Sequence, residues 1–402
     1  MAETETKKCL RILTFTTLYP NAAKPQHGVF VENRLRQLLS SGEVAARVLA
    51  PVPYFPFRGE RFGRYATFAR SPLSETRFEI EIDHPRFLTI PKLGMTAAPF
   101  LLYASSHLAM KRMLRAGQVF DLIDAHYFYP DGVAAVMLGR TFGLPVTITA
   151  RGTDINVVPD HVVPRRLIQW AAGNADGVIA VSSALAAKLS GLGIERSRIA
   201  VLRNGIDPTL FRPMAPFGGD DRAPPSPLAV SVGNLVPLKG HDLAISVLPQ
   251  IPELSLWIVG AGPERGRLEA LARSLKVETR VRFLGVLQHE RMPEVYSAAD
   301  VLILASEREG WPNVLLEAMA CGARVVATNV SDVPSIITGP VAGAWIRERI
   351  LPALVRALRE VLAAPISREE TRAHALNFTW HATTHGQISL FRSILARKRQ
   401  LA

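Results

Sequence analysis

Two carboxylates, Glu309 and Glu317, stand eight positions apart in the string S-E-R-E-G-W-P-N-V-L-L-E-A-M-A-C-G over residues 306–322. On a single helix, ~100° per residue would leave them ~80° apart around the axis, so they would not share a face. The apolar run Val301, Leu302, Ile303 and Leu304 just before them reads as a buried strand. Pro312 suits a first helical turn and Gly322 the position past the last one, so the segment between reads as a framed helix. Glu309 with Gly310 then falls in the loop, and Glu317 in the first turns of the helix. Helix N-terminal N–H groups at Asn313, Val314 and Leu315 lie between the two acids and can hold a phosphate oxygen. Acceptors for sugar and ribose hydroxyls on either side of an anion site make a place for a nucleotide sugar. Taken alone, Glu309-Gly310 reads equally well as a solvated acidic loop.

The whole string closely resembles the Glu-x7-Glu signature of family 4 of the retaining glycosyltransferases, which have the GT-B fold. The resemblance implies that Glu309 contacts donor-sugar hydroxyls and Glu317 the ribose. Trp311 is bulkier than the residue expected there and would narrow the sugar pocket. A second element, G-N-L-V-P-L-K-G over residues 233–240, follows another apolar run. Gly233 lets a phosphate approach the backbone, and the Lys239 ammonium can neutralise a diphosphate leaving group. This element resembles the family's G-R-x-x-x-x-K-G, with Lys239 and Gly240 matching. Asn234 replaces the family's arginine, so one positive charge is missing. Either Asn234 donates a neutral hydrogen bond or another arginine serves. An ordinary surface loop is the alternative for Lys239.

His126 ends a strand in D-L-I-D-A-H-Y-F-Y-P-D-G. A histidine there is commonly structural; the resemblance instead places it beside the donor sugar, as a hydrogen-bond donor rather than a base. In P-Q-H-G-V-F-V-E-N, Gly28 opens a helix whose N–H groups suit the diphosphate or the acceptor. His27 stands where the family carries a glycine, which is closer to the branch that builds exopolysaccharide or teichuronic-type chains. It either touches the acceptor or only makes the turn. Arg151 and Asp154, in R-G-T-D, fall at the same rim by strand order, either near the acceptor or as a structural ion pair. No Asp-x-Asp stands at a strand end, and the tandem Asp220-Asp221 falls in a linker, so a metal-independent reaction without a cofactor is expected. The co-substrate would be a UDP- or GDP-linked sugar.

These groups need rigid strands behind them. In the first half, strand-like runs at 11–18, 45–50, 122–126, 146–149 and 177–181 alternate with helix-like ones, the first at 29–41. Ser182 suits a helix cap. Residues 212–227, dense in Pro and Gly, read as a linker. A second alternation follows, with strands at 228–232, 254–259, 280–284, 301–304 and 325–328. The expected fold class is α/β, two Rossmann-like doubly wound domains facing across a cleft. Residues 1–211 would form the acceptor domain, 228–375 the nucleotide-sugar domain, and 376–402 a helix returning to the first.

With 402 residues, 48% of them hydrophobic, the chain has material for two cores. Two distant cysteines, Cys9 and Cys321, offer no disulfide framework and suit a cytoplasmic home. No signal peptide or membrane span is apparent, as the apolar stretch near 95–110 is broken by Pro99, Ser105, Ser106 and His107. A net charge of +12 implies an anionic partner. Arg58, Arg61, Arg64 and Arg70 interleave with Phe62, Tyr65 and Phe68, and Arg77, Arg86, Lys92, Lys111, Arg112 and Arg115 follow. Such a stripe suits either an anionic membrane face or a solvated helix with its aromatics in the core. No nucleic-acid module is present. The expected function is retaining transfer of a hexose to a lipid-linked or growing oligosaccharide acceptor of the cell envelope. A nucleotide-sugar epimerase and an inactive sugar-nucleotide scaffold are the alternatives.

Overall fold

A computed structural model describes residues 9–89, 94–215, 217 and 226–401. The segment before residue 9, Lys92, the Arg64 side chain and the tandem Asp220-Asp221 lie outside the described residues. The chain divides into two compact units, Met1–Arg203 with His381–Ala402, and Asn204–Trp380. The first division therefore falls ahead of the Pro- and Gly-rich stretch. Its reason is local: Ile206 N–H donates to the Phe378 carbonyl at 2.8 Å and pairs with Thr379, so the chain past Arg203 already belongs to the second framework.

In the first unit the strands are β1 (Leu10–Phe15), β2 (Val44–Leu49), β3 (Val52–Pro53), β4 (Ser74–Arg77), β5 (Ile80–Asp83), β6 (Arg86–Phe87), β7 (Leu122–His126), β8 (Val146–Ala150), β9 (Gly177–Ala180) and β10 (Ile199–Val201). Among the described residues, β3 and β6 pair with each other and the rest form one sheet in the order β10-β9-β8-β7-β1-β2-β5-β4. Every pairing in it is parallel except the edge pair β4–β5. Strands β7 and β8 are buried at every residue, which is why each reads as a short, mostly apolar run. Helix Val29–Leu39 follows β1, and Ser182 caps helix Ser183–Gly191 by accepting the Leu185 N–H at 3.2 Å. The terminal helix His381–Leu401 docks on this unit, with Ile388 and Phe391 in the same core as Leu10, Ile12 and Leu35. Among the described residues no helix is long and apolar enough to cross a membrane.

The second unit holds β11 (Leu228–Val232), β12 (Ser255–Val259), β13 (Val281–Gly285), β14 (Val301–Leu304), β15 (Arg324–Thr328) and β16 (Gly343–Ile346). They lie in the order β13-β12-β11-β14-β15-β16, all parallel. Both units are thus the expected parallel α/β sheets. In each, the strand order reverses beside the unit's first strand, between β1 and β7 and between β11 and β14. Those reversals open crevices at the carboxyl ends of the strands, where ligands bind in such sheets.

Candidate active site

The loops leaving β11 and β14 meet at the second unit's reversal. Gly240 holds φ 68°, and a Cβ there would lie 2.2 Å from the Ala305 carbonyl, so this loop folds back against the end of β14. The Lys239 methylenes run across Gly233, within 3.3–3.5 Å of where a side chain would begin. Lys239 Nζ then lies 2.6 Å from Glu309 Oε1, which also accepts the Ser306 hydroxyl at 2.7 Å. The Lys239 side chain is 23% exposed and that of Glu309 12%, so the pair is half-withdrawn from water yet open to a ligand. Gly310 is fixed by the Ser331 hydroxyl, which donates to its carbonyl at 2.7 Å.

Helix Asn313–Ala320 begins one residue after Pro312, which stands at the N-cap rather than inside the first turn. Asn313 N–H turns back to the Trp311 carbonyl at 3.0 Å, and Leu315 N–H to that of Pro312 at 3.1 Å. These short bonds tighten the helix start, so Asn313 and Leu315 do not present the free N–H groups expected of them. The Leu315 side chain is wholly buried and Trp311 is packed inside, while Val314 is half-buried between them. Asn313 offers its side-chain oxygen, which accepts from Asn204 Nδ2 at 3.2 Å. Glu317 is half-buried, and Tyr296 donates its hydroxyl to Oε2 at 2.8 Å. Burial pushes the Glu317 carboxyl above its usual range against the pull of His289. At the far end of the helix Arg372 donates to the Ala320 carbonyl, and Arg368 Nη2 lies 3.5 Å from that of Cys321. Cations there complement the helix C-terminus.

Asn234 is exposed, and its carbonyl accepts from His241 Nε2 at 3.3 Å. The cation missing at this position has a neighbour that sequence reading overlooked. Arg349 donates to the Ala305 carbonyl at 2.7 Å, and its Nη2 would lie 2.9 Å from a Cβ on Gly240. A guanidinium thus abuts the Lys239-Gly240 loop from the β16 side.

The first unit's reversal carries a buried polar network. His126 is 1% exposed, with Nδ1 2.7 Å from Arg151 Nη2 and Nε2 3.3 Å from Asp124 Oδ2. A guanidinium only donates, so Nδ1 is bare and the ring proton sits on Nε2, aimed at Asp124. Burial lowers the His126 pKa to about 4, the Asp124 carboxylate opposing and the Arg151 and Arg34 cations assisting. Burial works against the Asp124 charge, yet His126, Thr147 and Arg34 together hold it below the usual carboxylate range. The ring is therefore neutral with both nitrogens committed inside the unit, not the free hydrogen-bond donor expected. Asp154 is likewise internal, its carboxylate taking the N–H groups of Gly152 (2.7 Å), Phe128 (2.8 Å) and Arg151 (3.1 Å). That binds the R-G-T-D loop to the end of β7, a structural duty, and leaves the Arg151 guanidinium for His126.

Gly28 precedes helix Val29–Leu39 at φ 75°, with the Leu18 carbonyl 2.3 Å from a would-be Cβ. His27, exposed, gives Nε2–H to the Thr17 carbonyl at 3.0 Å, which fits the turn-making alternative. Asp131, absent from the sequence reading, accepts from Thr17 N–H at 2.8 Å and from the hydroxyls of Thr17 (3.0 Å) and Thr16 (3.3 Å). Burial raises its carboxyl to about 7. Phe62, Tyr65 and Phe68 do not bury as a helical stripe. Phe55, half-buried, lies 5.5 Å from both Phe62 and Tyr65 and 6.0 Å from Phe57; Phe57 and Tyr65 are exposed, and Lys24 stands over Phe68 at 3.9 Å.

Residues 65–210 match the family described as Glycosyltransferase Family 4, and residues 221–378 that described as Glycosyl transferases group 1. A Bacillus subtilis (strain 168) protein named as a teichuronic acid biosynthesis glycosyltransferase is 30% identical over 342 residues, 81% of this chain and 83% of the relative. A D-inositol 3-phosphate glycosyltransferase of Corynebacterium urealyticum is 30% identical over 73% of this chain and 75% of its own. Among solved structures, the sucrose-phosphate synthase of Thermosynechococcus elongatus superposes with a TM-score of 0.79 at 21% identity, covering 97% of this chain and 100% of that one. Anabaena HepE, solved in complex with UDP-glucose, superposes with a TM-score of 0.66 at 17% identity, covering 97% and 99%. The two parallel sheets are those of the GT-B fold, and the chain belongs to family 4 of the glycosyltransferases.

Proposed function

We propose that this glycosyltransferase moves a hexose from a UDP- or GDP-linked donor, with retention and without a metal, to a lipid-linked or growing cell-surface polysaccharide acceptor. The observation that carries the reading is the Lys239–Glu309 pair at 2.6 Å across the reversal between β11 and β14, with Glu317 on the helix beside it. Lys239 supplies the cation for the leaving diphosphate, with Arg349 in place of the arginine absent at Asn234. Glu309 accepts hydroxyls of the hexose and Glu317 those of the ribose. The bond from the anomeric carbon to the diphosphate breaks as the acceptor oxygen bonds to that carbon on the same face. The acceptor proton passes to the departing phosphate. The protein's share is positioning and charge stabilisation rather than a covalent nucleophile.

UDP-glucose in the HepE structure supports the donor class, and the teichuronic acid name of the Bacillus subtilis relative supports the acceptor class. The exposed Phe57 and Tyr65, beside Arg58 and Arg61, suit attachment to an anionic lipid surface at the inner face of the cell membrane. The test is transfer from labelled UDP- and GDP-hexoses to bacterial membrane extracts in EDTA, with the anomeric configuration of the product read by NMR. An α-linked product from an α-linked donor supports the reading. An inverted product, or isomerised sugar nucleotide without acceptor, would overturn it.

A further inference from the structure

His241 opens the short helix His241–Ser246 directly after the Lys239-Gly240 turn, and it is 2% exposed. Its Nε2 lies 3.3 Å from the Asn234 carbonyl and its Nδ1 2.8 Å from the Ser231 hydroxyl near the end of β11. A carbonyl only accepts, so Nε2 carries the proton; Nδ1 is then bare, and the Ser231 hydroxyl donates to it. The Asn234 carbonyl also takes the Val236 N–H at 2.9 Å, closing a tight turn to which the ring supplies a second donor. The Gly233 carbonyl favours the ring proton as well. That carbonyl packs inward: a Cβ on Gly260, which holds φ 142°, would lie 1.9 Å from it. A trans peptide sets its N–H opposite its carbonyl. The Asn234 N–H shares a plane with the Gly233 carbonyl, so it turns outward on an exposed residue, and among the described residues no acceptor takes it. The Lys239 stem crosses Gly233 next to it.

We propose that His241 is a positioning residue for the donor: by supporting the Asn234 and Gly233 carbonyls from inside the second unit, it keeps the Asn234 main-chain N–H facing out beside Lys239, where it donates to the diphosphate of a sugar nucleotide. The proposal rests on the placement of the diphosphate at Lys239 given above. It puts into the backbone a contact that the side chain, asparagine where the resemblance expects arginine, does not carry as charge. A main-chain donor also needs no side chain to be ordered on binding. Without the ring, both carbonyls would lose that donor and the turn would relax toward water. The charged groups facing the ring, Lys239 and Asp242, oppose one another, and burial disfavours the imidazolium, so the ring is neutral at neutral pH.

The test uses the full chain labelled with 15N-asparagine or 15N-histidine, the Asn234 amide assigned by its loss in Asn234→Gln and the His241 ring by its loss in His241→Gln. On titration with UDP, the Asn234 amide proton should move downfield, as an amide donating to phosphate does. Long-range proton–nitrogen spectra should show His241 as one neutral Nε2–H tautomer. His241→Phe, which keeps a ring but removes the donor, should weaken UDP binding about ten- to a hundredfold and lose the downfield shift. His241→Gln, whose amide donates to the same carbonyl, should recover most of that affinity. A merely structural histidine would cost stability in His241→Phe while the UDP-induced shift stayed. A His241→Phe protein with wild-type Kd and shift would overturn the proposal. If that variant does not fold, a wild-type His241 with its proton on Nδ1 overturns it instead. UDP binding that Lys239→Met weakens but that leaves the wild-type Asn234 amide unmoved overturns this proposal alone, whereas UDP bound equally by Lys239→Met overturns the placement of the diphosphate beneath it.

Discussion

Replacing Lys239 with methionine keeps the aliphatic stem that lies across Gly233 and removes only the ammonium. Two effects follow from one change. At 2.6 Å and an effective dielectric of about 20, the Lys239–Glu309 attraction is roughly 6 kcal/mol before desolvation. Most of that is offset by the cost of withdrawing both groups from water, so the net loss for a half-buried pair is ~1–3 kcal/mol. Melting should fall by about 2–4 °C for each of those kilocalories. Binding changes separately: a charge-assisted contact to the diphosphate is worth ~1.5–3 kcal/mol, or roughly 10- to 150-fold in Kd. Glu309→Gln should behave in the opposite sense, freeing Lys239 so that UDP binds at least as tightly. The extra affinity of the UDP-sugar over UDP should then collapse, because the sugar has lost its carboxylate. Isothermal titration with UDP, GDP and their hexose conjugates reads the affinities, and thermal melting reads the stability. A Lys239→Met protein that binds the diphosphate within twofold of wild type, or a Glu309→Gln protein equally impaired for UDP, would refute the assignment of the two roles.

Tyr296→Phe removes the hydroxyl that supports the Glu317 carboxylate, so its pKa should climb further and nucleotide affinity should drop about 5- to 30-fold, more at pH 6 than at pH 8, by titration calorimetry. Asp131, held near 7 in the folded protein against a usual carboxylate value, costs stability as pH rises towards 7; His126, held near 4, costs stability as pH falls from about 6.5. Asp131→Asn should therefore raise stability above pH 7 by up to a few kcal/mol and expose a steeper loss between pH 6.5 and 4, seen by urea unfolding across pH. Gly240→Ala forces a left-handed alanine whose Cβ meets the Ala305 carbonyl, whereas Gly42→Ala at φ 71° meets nothing within 4 Å. The second should cost about 1 kcal/mol and the first at least twice that, with donor affinity lost only in the first, by thermal melting and titration.

The central strands were legible because each is a short apolar run buried on both faces, as in β7, β8 and β14, and because glycines and prolines punctuate the loops after them. Strand β4 was missed because Ser74–Arg77 alternates exposed and half-buried polar residues at a sheet edge; β5, whose Ile80 and Ile82 are buried, was missed as a run of only four residues. Glu309 and Lys239 were found because local strings carry them. Their contact across 70 positions was not written in either string. Asp124 could have been read as a partner of His126, since residues two apart on a strand share a face. Arg34 and Tyr296 had no local mark, since their roles arise only where helices distant in sequence dock on the strand ends. The free N–H groups expected at Asn313 and Leu315 failed for the converse reason. Pro312 at the N-cap turns them back to residues 311 and 312, a detail of backbone geometry that composition does not carry.

A sugar-nucleotide site in the second unit built on Lys239, Glu309 and Glu317 should show itself in thermal melting of wild-type and Glu317→Gln proteins in EDTA against UDP-, GDP- and ADP-sugars. A ligand bound only by the folded state raises the melting temperature in proportion to ln(1 + [L]/Kd). One sugar nucleotide should give a selective shift in the wild type, sharply reduced in the variant. No shift with any of them, or the same shift in both proteins, would contradict it.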